Sequence, residues 1–436
     1  MKLGTGTPEK VGMSAQRIRH VANLAGGWVD QGIHPALVVL VARKGVVVLH
    51  KAFGHLTPEE GSPPLELDAI FPITSLGKPI AATAAMLLVE DGLLGLNRPV
   101  VEYIPEFVGE GKEKVMVHHL LTHTSGLTSK DVNAHVEKKM GAVKIPLADE
   151  TQHPEINEYL FLGYDTPLTL PPGTEQRYCD FGFELVGEIV RRISKMSLAD
   201  FARERLFGPL GMKDTAYIVP ESVSHRVVKR PTDSPGDWLN SRGLQETPWA
   251  AFGAYSTAMD MAVWGQMFLN GGVYGDARIL SPVTVAEMTR NQIPGTSSRF
   301  VDEYFPEAGT GFSWFIRENK KAVAYGETLQ SAKTFCHGGA GGVFLWVDPV
   351  YEIVGCYFSV DLGPVTVAET YRYWCADLFI NAVMAAIHPG IYLEWLASYQ
   401  YAALPHDRSA GVVRHLGGDL ILVISIAVQF LRDGLQ

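Results

Sequence analysis

The chain carries little charge. Of its 436 residues only 19% are Asp, Glu, Lys or Arg, against 47% apolar. Disorder needs the opposite balance, so a large folded core is expected. Basic clusters are missing as well: 47 acidic residues face 37 basic ones, a formal net charge of -10. Phosphate backbones are gripped by Lys and Arg, so a nucleic-acid partner is disfavoured and a small uncharged or cationic substrate fits better. Cysteine is scarce. Cys179, Cys336, Cys356 and Cys375 show no C-x-x-C spacing, which is neither a disulfide framework nor a zinc pattern and suits a reducing compartment. No apolar leader follows Met1-Lys2-Leu3-Gly4, and the longest apolar run, Leu420 to Phe430, is too short to span a bilayer as a helix. A cytoplasmic protein without a membrane span is the expectation.

Helical and strand patterns divide the chain. Ala15 to Val29 has helical periodicity, while Ala36 to Val41 and Val46 to Leu49 read as strands joined by the turn residues Arg43-Lys44-Gly45. Towards the other end, Val343 to Val347 and Ile353 to Phe358 form a second strand pair around Asp348-Pro349, with helix following from about Val367 to Ile387. Between these β-rich ends lies a long helical stretch, in which Leu185, Val186, Ile189, Val190 and Ile193 share one face. The expected fold is α/β of the α+β type: an antiparallel sheet flanked by helices, built from both ends of the chain, plus an inserted all-helical domain. The boundaries place residues 1-74 and 250-390 in the α/β domain, 75-249 in the helical domain, and 391-436 in a C-terminal extension. A cleft is expected where the two domains meet.

Three segments carry candidate chemistry. Ser75-Leu76-Gly77-Lys78-Pro79 opens a helix, because Pro79 is tolerated only in a first turn. At i and i+3, the Lys78 ammonium can reach the Ser75 hydroxyl. A serine hydroxyl is a weak nucleophile until a base takes its proton, and a lysine whose pKa is lowered by burial can serve. The second segment is Tyr178-Cys179-Asp180, just before a helix starting near Phe183. Its tyrosine reads either as a core aromatic or as a phenol that shuttles a proton. The third is His337-Gly338-Gly339-Ala340-Gly341-Gly342, ahead of a strand. It reads as a glycine-rich turn or as an edge that lends an N–H to an oxyanion. No Gly-x-Ser-x-Gly pentapeptide competes with these.

Taken in order, Ser75-Leu76-Gly77-Lys78, Tyr178-Cys179-Asp180 and His337-Gly338-Gly339 resemble the three-motif set of class C β-lactamases and penicillin-binding proteins. The resemblance is closer to the esterase relatives of those proteins, the family VIII carboxylesterases. Supporting stretches are His119 to Leu127 (HLLTHTSGL), Pro209-Leu210-Gly211-Met212 and Ala254 to Ala258. The resemblance covers roughly residues 10 to 387. It implies that Ser75 is acylated, that Lys78 and Tyr178 act as its base and proton relay, and that the backbone N–H groups of Ser75 and Ala340 hold the oxyanion. His337, Gly338, Gly339 and Asp180 then fall at substrate-binding positions, with no cofactor and no metal.

Two departures bear on the substrate. Asp180 stands where class C β-lactamases carry Asn, and an ionised carboxylate there would hold Lys78 protonated and shift the base role towards Tyr178. His337-Gly338 replaces the Lys-Thr pair that grips a β-lactam carboxylate, and a neutral imidazole is a poor substitute. Hydrolysis of small carboxylic esters through a Ser75 acyl-enzyme is therefore expected. The alternative is β-lactamase, D-aminopeptidase or transacylase activity at the same site. His118, His119 and His123 have near-zinc spacing but lack the H-E-x-x-H glutamate, so they read as a structural turn. The extension, with its apolar run from Leu420 to Phe430, reads first as a segment that packs on the body or on a dimer partner, making a homo-oligomer, and second as a membrane-surface attachment.

Overall fold

The computed structural model describes residues 1–300, 303–318, 329–362 and 375–388; the C-terminal extension, with its apolar run, lies outside the described residues. Ala36–Arg43 (β2) and Val46–Gly54 (β3) form the hairpin foreseen from the sequence. Its two-residue loop, Lys44 and Gly45, takes φ 50° and 73°. Positive φ at both loop positions is the conformation whose twist matches the flanking strands.

Among the described residues, seven strands make the main sheet. Added to the hairpin are Gly4–Thr5 (β1), Phe315–Ile316 (β4), Phe335–Gly339 (β5), Val343–Asp348 (β6) and Ile353–Ser359 (β7), in the order β1-β3-β2-β7-β6-β5-β4. Every pairing is antiparallel except that of the two-residue edge strand β1, which runs parallel to β3. The two ends of the chain meet where β7 pairs with β2, Phe358 opposite Val38.

Strand β2 is buried along its whole length because the sheet is covered on both faces. Successive side chains point to opposite sides. Val38 and Leu40 join Leu345, Val354 and Phe358 in one core, together with Ile80 and Leu87 of Lys78–Glu90 (α2) and Met261 and Trp264 of Ala258–Leu269 (α4). Leu37, Val39 and Val41 join Phe344, Trp346 and Tyr357 in the other, capped by Trp28 of Ala15–Asp30 (α1) and Phe379 of Ala376–Met384 (α5). Helix α5 falls within the stretch expected to be helical from about Val367 to Ile387 and starts at Ala376, with Cys375 as its N-cap; residues 363–374 lie outside the described set. Residues Met1–Ile387 form one compact unit.

The amphipathic helix at Leu185–Ile193 spans Asp180–Ser194 (α3). It begins three residues earlier than its apolar periodicity suggests. That difference puts Asp180 in the first turn, where the positive end of the helix favours a carboxylate.

Candidate active site

The segment leading to Ser75 is tied down before it reaches the serine. Phe71–Pro72 pairs antiparallel with Tyr255–Ser256, and the Ile73 N–H donates to the Ala254 carbonyl at 2.9 Å. Thr74 then takes φ 44°, a left-handed conformation that a β-branched residue adopts only under constraint. Its hydroxyl donates to the Ala340 carbonyl at 3.1 Å, which ties this strained residue to the end of β5. A 3-10 turn, Thr74–Gly77, runs directly into α2, with Lys78 its first residue and Pro79 its second. Ser75 thus sits at a helical N-terminus, where N–H groups lack intrahelical acceptors and the dipole favours developing negative charge.

Lys78 is fully buried. Its ammonium donates to Ser75 Oγ and to the Ala251 carbonyl, each at 3.1 Å, and lies 2.7 Å from Asp180 Oδ1. It also sits 4.6 Å over the centroid of the Tyr178 ring. Burial by itself drives a lysine to shed its proton, as the sequence-based reading supposed. Here the Asp180 carboxylate and the Tyr178 phenol outweigh that effect, and the Lys78 pKa lies above the ordinary lysine value. Burial likewise raises the Tyr178 phenol against the pull of the Lys78 ammonium, so the resting cluster is a phenol, an ammonium and a carboxylate. The Asp180 carboxylate is oriented by Ser129, whose Oγ accepts from the Asp180 N–H at 2.9 Å and donates to Oδ2 at 3.4 Å.

Two histidines flank this cluster. His123, at φ 57°, stacks on Tyr178 with centroids 4.3 Å apart, and its Nδ1 accepts the Cys179 N–H at 3.1 Å. His337 is buried against Phe315, and its Nδ1–H donates to the Gly338 carbonyl at 2.6 Å. Burial, reinforced by the Lys78 ammonium, pulls both imidazoles down to about 3, so both are neutral near pH 7. His337, expected from the sequence to replace a carboxylate-gripping lysine, is thus an uncharged, buried ring.

Strand β5 comes against the serine loop backbone to backbone. A Cβ added at Gly339 would lie 2.2 Å from the Ile73 carbonyl oxygen and 2.5 Å from Thr74 Oγ1. Only glycine permits that approach. Beyond it, the turn carrying Ala340 is held from behind by the buried Arg230, whose guanidinium donates to the carbonyls of Gly341 and Asp361. Asn240 fixes Arg230 in turn, accepting its N–H at 2.9 Å and donating to its carbonyl at 3.0 Å.

Ser75, Lys78, Tyr178 and Asp180 are therefore brought together, with the Gly339–Ala340 edge alongside. Ala251, Ser129, Thr74 and Arg230 were not legible as participants. Each of them acts on or through backbone groups, which leave no residue-type signature. The histidines of near-zinc spacing go to separate backbone partners instead: His118 to the Leu96 carbonyl, His119 to the Met116 N–H and His123 to the Cys179 N–H. All four cysteines are buried, and burial raises the Cys179 thiol to about 12. No helix among the described residues is long and apolar enough to cross a membrane.

Comparison with known proteins adds three findings. The model of the family described as Beta-lactamase matches residues 21–376. A protein of Salmonella schwarzengrund (strain CVM19633) named "Putative D-alanyl-D-alanine carboxypeptidase" is 26% identical over 383 residues, 80% of this chain and 83% of the relative. Among solved structures, a family VIII carboxylesterase matches with TM-score 0.68 and 21% identity, covering 86% of this chain and 99% of the other. A penicillin-binding protein homologue from Caulobacter crescentus matches with TM-score 0.64 and 22% identity, over 80% and 93%. At these identities the solved structures establish the shared fold.

Proposed function

The chain belongs to the Beta-lactamase family of serine hydrolases, and from that we propose that it hydrolyses small carboxylic esters through an acyl-enzyme on Ser75. The observation that carries this reading is the contact of the buried Lys78 ammonium with both Ser75 Oγ, at 3.1 Å, and Asp180 Oδ1, at 2.7 Å. Ser75 Oγ attacks the ester carbonyl, and the N–H groups of Ser75 and Ala340 receive the oxyanion. The serine proton passes to the Lys78–Tyr178 pair once that pair has lost a proton to solvent. It then moves to the departing alkoxide as the carbonyl reforms. Water, giving its proton to the same pair, cleaves the acyl-serine and regenerates the hydroxyl.

Neutral esters fit better than β-lactams because His337, neutral and buried, offers no charge to a substrate carboxylate. An alkoxide also leaves without the precisely placed proton donor that an amine needs. A second reading, cleavage of a D-alanyl peptide, is favoured by the name of the Salmonella relative.

The test is mass spectrometry after treatment with a fluorophosphonate probe, followed by turnover of a nitrophenyl ester, a chromogenic cephalosporin and a D-alanyl-D-alanine peptide. The expected result is a single adduct on Ser75, lost in Ser75→Ala, with the ester turned over fastest. A folded sample carrying no adduct on Ser75 would overturn the mechanism. Faster peptide turnover would install the second reading.

A further inference from the structure

Helix α3 reaches Lys78 by two routes, and only one of them is the Asp180 ion pair. One turn beyond Asp180, the buried Glu184 accepts the N–H of Ala251 on Oε1 at 2.9 Å and the N–H of Ala250 on Oε2 at 3.1 Å. The carbonyl of the same Ala251 accepts from Lys78 Nζ at 3.1 Å. Both carboxylate oxygens are thereby committed to two successive N–H groups, and the next peptide along, that of the Ala251 carbonyl, presents the acceptor that fixes the third contact of the ammonium.

We propose that Glu184 is a positioning residue for Lys78, acting through the Ala250–Ala251 backbone. The inference rests on the reading of Ser75 and Lys78 as the acylation machinery. The physical argument is one of hydrogen-bond capacity. An ionised carboxylate only accepts, which matches two converging N–H donors. A protonated carboxyl, or an amide, must set a donor against one of those N–H groups, and one of the two bonds is lost. The backbone at Ala250 and Ala251 is then free to shift, and the Ala251 carbonyl, in the next peptide along, no longer holds the ammonium beside Ser75 Oγ. A misplacement of this kind lowers the chemical step more than substrate binding.

The surroundings make the protonation of Glu184 matter near neutrality. Burial pushes its carboxyl up to about 7, opposed by the two N–H bonds. The groups facing it are Asp180 on its own helix, Lys78 on α2, Tyr159 and Tyr217, and Glu188 one turn further along the helix lines the same surface pocket. His153 and Arg191, with Glu150 and Asp200, line the adjoining surface pocket. Asp180 raises the Glu184 pKa, and Lys78 lowers it.

The test compares wild type with Glu184→Gln and Glu184→Asp, using a nitrophenyl ester and the rate of fluorophosphonate labelling of Ser75 between pH 5 and 9. The expected result for Glu184→Gln is a kcat lower by about tenfold or more, with KM within about twofold. The wild-type rate should also steepen below about pH 7, and that extra steepness should vanish in the variant. Glu184→Asp, which keeps the charge, should recover part of kcat and the pH-dependent steepening. Thermal unfolding checks that each variant is folded, and if Glu184→Gln is not, Glu184→Asp carries the test. A folded variant with wild-type kcat and an unchanged pH profile overturns the proposal. Failure of Ser75 labelling in wild type would instead overturn the acyl-enzyme reading on which it stands.

Discussion

Asp180 Oδ1 lies 2.7 Å from Lys78 Nζ, and that contact sets the protonation state of the site. The carboxylate is one-third exposed while the ammonium is fully buried. The pair therefore keeps the charge on the buried partner, and the Lys78 pKa lies above the ordinary lysine value. A neutral lysine is then a minor species at pH 7, and ester hydrolysis should become faster as pH rises towards the alkaline range. Asp180→Asn removes the counter-charge and leaves Tyr178 to oppose burial without it, which lowers the lysine pKa. The expected outcome is a pH–kcat/KM profile displaced to lower pH by about one unit or more. An unshifted profile would show that Lys78 does not carry the limiting proton.

Gly339 is the position most sensitive to added volume at the site. In Gly339→Ala the new methyl would meet the Ile73 carbonyl oxygen and Thr74 Oγ1 well inside contact distance. Strand β5 must move away from the serine loop, carrying the Ala340 N–H with it. Stability should fall by about 1–3 kcal/mol in urea unfolding. The kcat should fall by about a hundredfold, the loss expected for one oxyanion donor. Wild-type kcat in this variant would dissociate the β5 edge from the oxyanion.

His123 and His337 should not titrate in the physiological range. Burial and the Lys78 ammonium hold both near 3, so the imidazole nitrogens should stay in their neutral patterns from pH 8 down to about pH 4 in long-range nitrogen–proton spectra. The hydrogen-bond partners also fix the tautomers. His337 keeps its proton on Nδ1, facing the Gly338 carbonyl, while His123 keeps it on Nε2, because its Nδ1 accepts the Cys179 N–H. An imidazolium signal from either ring at pH 6 would contradict this arrangement.

Arg230 should matter through geometry more than through charge. Its fork spans two carbonyls, those of Gly341 and Asp361, and a lysine has no planar pair of donors to replace it. Arg230→Lys should cost about 1.5–3 kcal/mol in urea unfolding, the range for hydrogen bonds to a charged donor. Because the turn it holds carries Ala340, kcat should drop more than KM rises. Equal loss in both would point to a general loosening of the fold.

Much of the fold was legible because it depends on local pattern. The Lys44-Gly45 turn needs positive φ, and the alternating sides of β2 need apolar residues wherever both faces are covered. The onset of α3 was misplaced by three residues because Asp180 is polar. Its place in the helix comes from the helix dipole and from Ser129, not from apolar periodicity.

The sequence by itself determined that Ser75 and Lys78 meet, since i,i+3 spacing on a helical turn fixes their separation, and its resemblance to a known family made Tyr178 and the glycine edge their expected partners. It left the lysine's charge open between burial and Asp180. Only the tertiary structure decided that, because proton affinity depends on distances between segments about a hundred residues apart. The same holds for the Ala251 carbonyl, the Thr74 tie to Ala340 and the Arg230 clamp. Backbone groups look alike in every residue, and folding alone selects which of them face the site.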